Sequence, residues 1–423
     1  MNLRSEYDVI VIGAGPAGLA AAIAARQNGC DQVLLIDRDV EPGGILQQCV
    51  HNGFGLETFK EDLPGPSYAQ RFINRAIDCG VQFLMDTMVL AVSRDKQVTV
   101  SGALVGIRTL QAKAVIFSMG CRERSRAQIR IPGTRPAGVY TAGTAQRWVN
   151  IDGMMPGNRF IILGSGDIGM IMARRLTLEG AQVERVVEIM PYLSGLSRNL
   201  VQCLQDFEIP LFLNQTVSRI IGKKRVEAVE ISAVDEKRLP IPSSAEIIPC
   251  DTLLLSVGLI PENELTRRAG VEMDERIGGA VVDDTFSTGI PGMFVAGNVV
   301  HVYDLVDYVS QAGEKAGSSA ADYIRGKTSY SEKKVKTTAG KNVRYVVPQL
   351  IRPESLKETS ILLQMRVVAP LEHRVELIVR DGEKEITRKR LPYARPGEMV
   401  SVSLPQSAYD VVQQADEITV EIL

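Results

Sequence analysis

Two short glycine-rich stretches have the residue types and spacing of phosphate-binding turns. They read GAGPAG at residues 13–18 and GSGDIG at residues 164–169. In a GxGxxG turn the first glycine allows a tight bend, the second lets the backbone approach a pyrophosphate, and the third lets the next helix pack closely. The start of that helix adds free N–H groups and a partial positive charge. The predicted dinucleotide contacts are Gly13, Gly15, Pro16, Ala17 and Gly18 in the first turn, and Gly164, Gly166, Asp167, Ile168 and Gly169 in the second.

A carboxylate follows each turn at the same distance. Asp37 lies 19 residues after Gly18, and Glu188 lies 19 residues after Gly169. An acid at this place can bind the ribose hydroxyls of an adenine dinucleotide. Glu188 would also repel the 2′-phosphate of NADP, and residues 189–191 contain no arginine to bind that phosphate. The second turn therefore predicts NADH in preference to NADPH.

Apolar runs on either side of each turn predict buried parallel strands. Residues 7–12 and 32–37 surround the first turn and its helix. Residues 159–163 and 183–189 surround the second turn and a helix predicted over 167–179. Each copy is a βαβ unit of about 30 residues. The predicted fold class is thus α/β, with two Rossmann-like dinucleotide-binding domains.

The region after residue 330 has a different pattern. A linker is predicted at 326–342, after a helix predicted from about 310 to 324. Short apolar runs then predict strands at 360–368, 374–380, 385–391, 399–404 and 418–422. Asp381-Gly382 is a hairpin signal between two of them. We therefore predict a small all-β, sandwich-like C-terminal domain over residues 331–423.

Composition excludes several classes of function. The 423 residues carry 48 Lys and Arg against 50 Asp and Glu, a net charge of −2, so no basic surface for nucleic acid is expected. The six cysteines and three histidines have no metal-ligand spacing, and no metal site is predicted. The N-terminal stretch lacks a signal peptide pattern, and the longest apolar stretch is interrupted by glycine and proline. A cytoplasmic protein without a membrane span is expected.

The order of these motifs resembles the glutathione reductase and thioredoxin reductase superfamily of flavoproteins. The resemblance spans residues 7–325 and includes the strand ends Ser118-Met119-Gly120 and PGMFVAGN. It implies FAD in the first site, formed by residues 1–121 and 263–330, and NAD(P)H in an inserted domain of residues 122–262. Further FAD contacts implied are Arg38, Gly44, Ile45, Val89, Ser118, Met119, Gly120, Gly297, Asn298, Gln311 and Ala312, and Gly258 is implied for NAD.

Two of these positions carry specific expectations. Asn298 stands where the family has an aspartate that binds the ribityl chain, so the side chain keeps its hydrogen bonding but loses the charge. Gln311 and Ala312 match the positions at a helix start whose backbone N–H groups face the flavin ring.

The redox dithiol of the superfamily is missing from both of its usual places. Residues 140–144 contain no cysteine, and the segment GGILQQCVHNGFG contains only Cys49. A disulfide relay needs two thiols, so this activity is excluded unless a distant cysteine folds in. Gln48, Cys49 and His51 remain candidates at the flavin edge, and a structural role for Cys49 is favoured.

A narrower resemblance is to bacterial flavoproteins without a dithiol. GGILQQCVHNGFGLETF and CDTLLLSVGLIPENEL resemble the FAD/NAD(P) oxidoreductases found with anaerobic-type glycerol-3-phosphate dehydrogenases. They also resemble the flavoprotein subunits of hydrogen cyanide synthase and of opine and sarcosine oxidases. This implies an FAD- and NAD(H)-dependent oxidoreductase in an oligomer or hetero-complex. Its partner would be a flavin-dependent dehydrogenase or other electron-transfer protein, acting on a polyol phosphate or an amino or hydroxy acid.

Two alternatives stay open. The chain could be an assembly subunit whose flavin and nucleotide are structural, with the C-terminal domain as a docking surface. It could also be an NADH oxidase or peroxidase in which Cys49 cycles through sulfenic acid.

Overall fold

The computed structural model describes residues 3–327 and 333–423, and the chain divides into two compact units. One unit comprises residues 1–121 and 261–423, and the other comprises residues 122–260. Each unit is built around its own sheet with parallel central strands, and in the first unit the strands Gln97–Gly102 and Thr87–Val92 extend that sheet through antiparallel pairs.

The strands of the described residues are numbered in chain order through both units. They are β1 (Glu6–Ile12), β2 (Val33–Ile36), β3 (Gln82–Leu84), β4 (Thr87–Val92), β5 (Gln97–Gly102), β6 (Gly106–Phe117), β7 (Cys121–Glu123), β8 (Val139–Thr141), β9 (Arg159–Leu163), β10 (Gln182–Glu188), β11 (Leu211–Leu213), β12 (Gln215–Gly222), β13 (Val226–Ala233), β14 (Glu246–Pro249), β15 (Thr252–Leu255), β16 (Leu259–Pro261), β17 (Met293–Val295), β18 (Val335–Ala339), β19 (Val343–Val347), β20 (Leu350–Ile351), β21 (Ile361–Val367), β22 (Val375–Asp381), β23 (Lys384–Leu391), β24 (Val400–Leu404) and β25 (Glu417–Ile422).

The α-helices of the same residues vary in length from single turns to five turns. They are α1 (Pro16–Gln27), α2 (Gly65–Asp78), α3 (Arg126–Ile129), α4 (Ala142–Asn150), α5 (Asp167–Leu178), α6 (Ser197–Asn199), α7 (Glu264–Arg268), α8 (Val306–Ile324) and α9 (Tyr409–Gln414). No helix of the described residues is long and apolar enough to cross a lipid bilayer.

The main sheet of the first unit places four strand ends at one edge. β1 lies between β2 and β6, with β17 beside β6, and all of these pairs are parallel. Their last residues are in register, so that Ile12 pairs with both Ile36 and Phe117. Ligands of open parallel sheets bind beyond the carboxyl ends of the strands.

Helices α1 and α8 pack against each other with their backbones nearly touching. A Cβ on Gly313 of α8 would lie 2.1 Å from the carbonyl oxygen of Ala17, and one on Gly317 would lie 2.1 Å from that of Ala21. Only glycine allows this approach. It brings the start of α8 to the same edge as the first glycine turn.

The second unit repeats the arrangement on a smaller scale. Its sheet has the order β11-β10-β9-β15-β8 with parallel pairing throughout, and β12, β13 and β14 form an antiparallel meander. The predicted fold class, with two Rossmann-type sheets and a β-rich C-terminal region, is confirmed.

The C-terminal region consists of two sheets with one apolar core between them. Their orders are β20-β18-β25-β22-β23 and β19-β21-β24. The hairpin at Asp381-Gly382 is confirmed, since β22 and β23 pair antiparallel across it. The linker prediction is wrong where it covers 335–339, because those residues form β18 between β20 and β25. Residues 328–332 of that linker lie outside the described residues.

Buried ion pairs connect the β-rich region to the first sheet. Asp283 is fully buried, and its carboxylate accepts hydrogen bonds from Arg352 Nε at 2.8 Å and Lys334 Nζ at 2.9 Å. Arg366 pairs with Asp304 and also donates to the carbonyl of Val302 at 3.1 Å. Residues of the C-terminal sheets therefore hold the segment from Gly297 to the start of α8 in place.

His301 in this held segment is a buried base that should make stability depend on pH. It is fully buried, and neither ring nitrogen has a hydrogen-bond partner among the residues that the structure describes. Burial, reinforced by Arg366, lowers the pKa of His301 from 6.5 to about 3. The unfolded chain therefore binds a proton that the folded chain does not, and stability falls as pH drops from about 6.5 towards 3.

We expect the wild-type protein to lose about 2 kcal/mol through His301 between pH 7.5 and pH 5. His301→Phe keeps an aromatic ring at this place but removes the titrating imidazole. The stability of this variant should therefore fall less over this pH range. Urea unfolding at both pH values measures the difference. Parallel pH profiles for the two proteins would contradict this assignment.

Candidate functional site

The first glycine turn has the three distinct environments that its sequence predicts. Gly13 adopts φ +105°, and a Cβ on it would lie 2.4 Å from the carbonyl oxygen of Ser118. A Cβ on Gly18 would lie 1.8 Å from the carbonyl oxygen of Gly13. A Cβ on Gly15, in contrast, would meet nothing within 4 Å. The turn is thus packed tightly on the protein side and open at the glycine where a pyrophosphate would approach.

Asp37 supports this turn from the end of β2. Its carboxylate accepts hydrogen bonds from the N–H of Ala14 at 2.6 Å and of Asp39 at 2.9 Å. Helix α1 begins at Pro16 and has no acidic residue in its first turn, so no side chain of that turn offsets the partial positive charge at the helix start. This open, positively polarised turn fits the pyrophosphate of FAD, and Asp37 is partly exposed beside it.

Other predicted FAD residues lie around the same turn. Gly44 begins a 3₁₀ helix, Gly44–Gln48, and a Cβ on it would lie 3.1 Å from the Cα of Gly15. Ile45 next to it is 53% exposed, and Arg38 is exposed after Asp37. Val89 is buried in β4, where it pairs with Val100. A contact of its backbone with adenine stays a prediction.

Ser118 and Asn298 organise the loops at the end of β6 and β17. The hydroxyl of Ser118 donates to the carbonyls of Ile12 and Gly13, at 2.8 and 3.0 Å. Met119 and Gly120 continue this loop, and Gly120 has φ +74°. The Asn298 Oδ1 accepts from the N–H of Tyr303 at 3.1 Å, after Gly297 at φ +77°.

Asn298 also reaches Cys121, the first residue of β7. Its Nδ2 lies 3.6 Å from Cys121 Sγ. An aspartate at this position could not donate to the sulfur, so the amide suits its neighbour here.

The predicted helix start at Gln311 and Ala312 is wrong, whereas the contact of these residues with the flavin ring stays a prediction. Helix α8 begins at Val306, several residues earlier than predicted, so these two residues lie in its second turn. Their N–H groups belong to the helical hydrogen-bond ladder rather than to its free start. The unbonded helix start is formed instead by residues from Val306. Val306 and Val309 continue the helical spacing of Ala312 and Ala316 back to this point, and this apolar spacing is the signal that could have located the helix start.

Asp307 is a site residue that sequence reasoning missed. It lies in the first turn of α8, is 1% exposed, and accepts a hydrogen bond from the N–H of Thr58 at 2.8 Å. A carboxylate here is stabilised by the helix dipole. It joins the start of α8 to the segment that follows Cys49.

The three flavin-edge candidates share one segment. Gln48 is 6% exposed, and the His51 ring packs on Phe54 with centroids 5.1 Å apart. The thiol of Cys49 donates to the carbonyl of Ile45 at 3.2 Å, and burial raises its pKa to about 12. Because the thiolate is the reactive form of cysteine, this environment makes Cys49 a poor nucleophile near neutral pH.

The second glycine turn repeats the tight contacts of the first. Gly164 has φ +97°, and a Cβ on it would lie 2.1 Å from the carbonyl oxygen of Ser256. The N–H of Gly169 donates to Ser256 Oγ at 3.0 Å. Ser256 thus supports this turn as Ser118 supports the first. Sequence reasoning missed it, although Ser256-Val257-Gly258 repeats the pattern Ser118-Met119-Gly120.

Glu188 is placed as predicted, at the end of β10 beside this turn. Its carboxylate accepts from the N–H and hydroxyl of Ser165, at 2.9 and 2.7 Å, and from the N–H of Met190 at 2.9 Å. It is 3% exposed. Ile168 in α5 is partly buried, and Gly258, with φ +99°, is exposed in the loop that follows β15.

Comparison with known proteins decides the family. The profile of the pyridine nucleotide-disulphide oxidoreductase family matches residues 7–316. The chain belongs to this family. Its members bind FAD and NAD(P)H.

Individual relatives of this chain are distant. An opine oxidase subunit of Agrobacterium tumefaciens (strain Ach5) is 26% identical over 345 residues, which cover 76% of this chain and 65% of the relative. Thioredoxin reductase of Listeria monocytogenes is 28% identical over 324 residues, covering 75% of this chain and 94% of the relative. The chain thus spans less than two thirds of the length of the opine oxidase relative.

A solved structure shows the same fold. Thioredoxin reductase of T. acidophilum superposes with a TM-score of 0.61 at 23% identity, over 77% of this chain and all of that chain. None of the six cysteines of the present chain, all of which lie in the described residues, forms a disulfide bond. No group of three or more potential ligands could hold a metal ion within residues 3–327 and 333–423.

Proposed function

We propose that this protein is an FAD-dependent oxidoreductase that exchanges hydride with NADH and electrons with a partner dehydrogenase subunit. The observation that carries the proposal is the open turn at Gly15, supported by Asp37, in a chain that repeats the same motif at Gly164. The chain has no pair of cysteines at either place where the superfamily carries its redox dithiol, which argues against a disulfide relay.

When bound, FAD and the nicotinamide nucleotide supply the hydride chemistry, between flavin N5 and nicotinamide C4. The residues of the chain bind and orient these groups. Gly15 and the start of α1 would hold the FAD pyrophosphate, and Asp37 its ribose. Gly297 and Asn298 would hold the ribityl chain. Gln311 and Ala312 of α8 would contact the ring, while the buried Asp307 carboxylate offsets part of the positive charge at the start of that helix.

The second unit would hold the nucleotide. Glu188 lies where an acid binds the adenosine ribose and repels a 2′-phosphate, which supports NADH over NADPH. Gly164, Gly166 and Gly169 would let its pyrophosphate approach α5. Hydride transfer needs no protein acid or base, so Gln48 and His51 would orient ring or substrate atoms rather than move protons.

A partner subunit is proposed from the kind of relative that this chain resembles. The opine oxidase relative is by name one subunit of an oxidase. A flavoprotein without a dithiol needs another acceptor or donor for its electrons, and a second subunit supplies one. We propose a subunit that oxidises a small polyol phosphate or an amino or hydroxy acid. Thiols that form no disulfide suit a reducing compartment, and we place the complex in the cytoplasm.

Anaerobic mixing with NADH tests the proposal. We expect the flavin absorbance of the purified holoprotein to bleach, and Cys49→Ser to bleach within about threefold of the wild-type rate, since a thiol of such high pKa contributes little. Bound flavin that does not bleach would support a structural flavin in an assembly subunit. If the wild-type protein turned over with oxygen or peroxide and Cys49→Ser did not, this result would support the oxidase or peroxidase alternative.

A further inference from the structure

The segment that follows Glu188 lies across the start of α5. We name residues 190–199 the covering segment. The carboxylate of Asp167, the first residue of α5, accepts hydrogen bonds from the N–H of Leu196 at 2.8 Å and from Asn199 Nδ2 at 2.6 Å. A Cβ on Gly195 would lie 2.9 Å from the backbone nitrogen of Asp167. The covering segment therefore occupies the helix end where a nucleotide pyrophosphate would lie.

A second set of contacts holds the covering segment on the glycine turn itself. The N–H of Ser194 donates to Ser165 Oγ at 2.9 Å, and its hydroxyl donates to Glu188 Oε2 at 2.9 Å. These contacts leave Glu188 3% exposed. The ribose-binding carboxylate and the phosphate-binding helix end are thus covered by one stretch of chain.

The first glycine turn with Asp37 (the first cradle) can be compared with the second turn with Glu188 (the second cradle). Gly15 faces open space, whereas a Cβ on Gly166 would lie 3.0 Å from Ser256 Oγ. The first turn of α1 has no acid, whereas α5 begins with Asp167. Asp37 is partly exposed, whereas Glu188 is buried. The two cradles share a motif but differ in access.

We propose that the covering segment gates the second cradle, with Asp167 as the residue that holds it closed. This rests on the proposed function, in which that cradle takes a nicotinamide nucleotide. The nucleotide binds only when Leu196 and Asn199 release Asp167, so its apparent affinity is reduced by the small fraction of open molecules. Asp167 also places a negative charge where the pyrophosphate would bring its own.

Binding of NAD⁺ to the FAD-loaded protein tests the gate, because the oxidised nucleotide does not reduce the flavin. Asp167→Ala removes both anchoring hydrogen bonds, and we expect it to bind NAD⁺ about tenfold more tightly or better than wild type, by calorimetry. Asp167→Asn keeps the accepting oxygen without the charge and should gain much less. Equal affinity of wild type and Asp167→Ala, or equal gains in both variants, would overturn the gate.

Hydrogen exchange separates failure of the gate from failure of the proposed function. In the wild-type protein NAD⁺ should accelerate exchange at the N–H groups of Ser194 and Leu196. Binding of NAD⁺ with unchanged exchange overturns the gate and leaves the proposed function standing. If the covering segment exchanges freely in Asp167→Ala and yet neither protein binds NAD⁺ or is bleached by NADH, the proposed function is wrong and the gate falls with it.

Discussion

Gly15→Val should yield a folded but colourless protein, with FAD affinity reduced about 100-fold or more. A Cβ at Gly15 enters open space, and its φ of −74° and ψ of −175° are accessible to any residue, so the chain itself is not strained. The added methyl groups would fill the place where the pyrophosphate approaches the backbone. Flavin content after purification and titration of the apoprotein with FAD measure the effect.

Two matched substitutions make this result specific. Gly289 also has nothing within 4 Å of an added Cβ and is exposed in the same unit, so Gly289→Val should keep its FAD. Gly18→Ala should instead disrupt folding, because its Cβ would lie 1.8 Å from the carbonyl oxygen of Gly13. A yellow Gly15→Val protein with a full complement of FAD would contradict the proposed cradle.

Arg352→Met should destabilise the first unit by about 3 kcal/mol and release FAD at lower denaturant. Asp283 is fully buried, and this substitution leaves its carboxylate with Lys334 as the remaining cation. Arg352 lies in the C-terminal region, whereas Asp283 precedes β17 and the Gly297 turn. Urea unfolding followed by flavin fluorescence measures the loss of stability at the site.

An exposed ion pair of the same region is the control. Arg388 on β23 pairs with Glu376 and Glu385, and its side chain is 40% exposed. Arg388→Met should cost less than about 1 kcal/mol, because exposed pairs are screened by water. If Arg352→Met unfolds like this control, the buried pair does not couple the C-terminal sheets to the flavin site.

Local patterns predicted the parts of this fold that depend on neighbours in sequence. The strand, turn and helix around Gly13 and around Gly164 were predictable, because apolar runs and glycine spacing within short stretches of sequence indicate them. So were the C-terminal hairpin and Asp37 and Glu188 at their strand ends. Strand β18 was missed because its threonines, lysine and flanking glycine look like a linker. It becomes a strand by pairing with β25, far away in the sequence.

Site residues that act through distant partners were the ones that sequence reasoning missed or misplaced. The Asp307 carboxylate accepts a hydrogen bond from Thr58, and the Asp283 carboxylate accepts one from Arg352. The two residues of each pair are far apart in the sequence. Such pairs become visible only once the sheets have formed.

The sequence by itself determined that this chain folds around two dinucleotide cradles and that it lacks the paired cysteines of a disulfide relay. Those properties depend on residue types and on their short spacing in the sequence, which directly determine the local backbone geometry. Only the tertiary structure decided that one cradle is open and the other covered. Both contain the same glycines and a carboxylate, and the difference arises from where residues 190–199 fold back, which is a matter of packing in three dimensions.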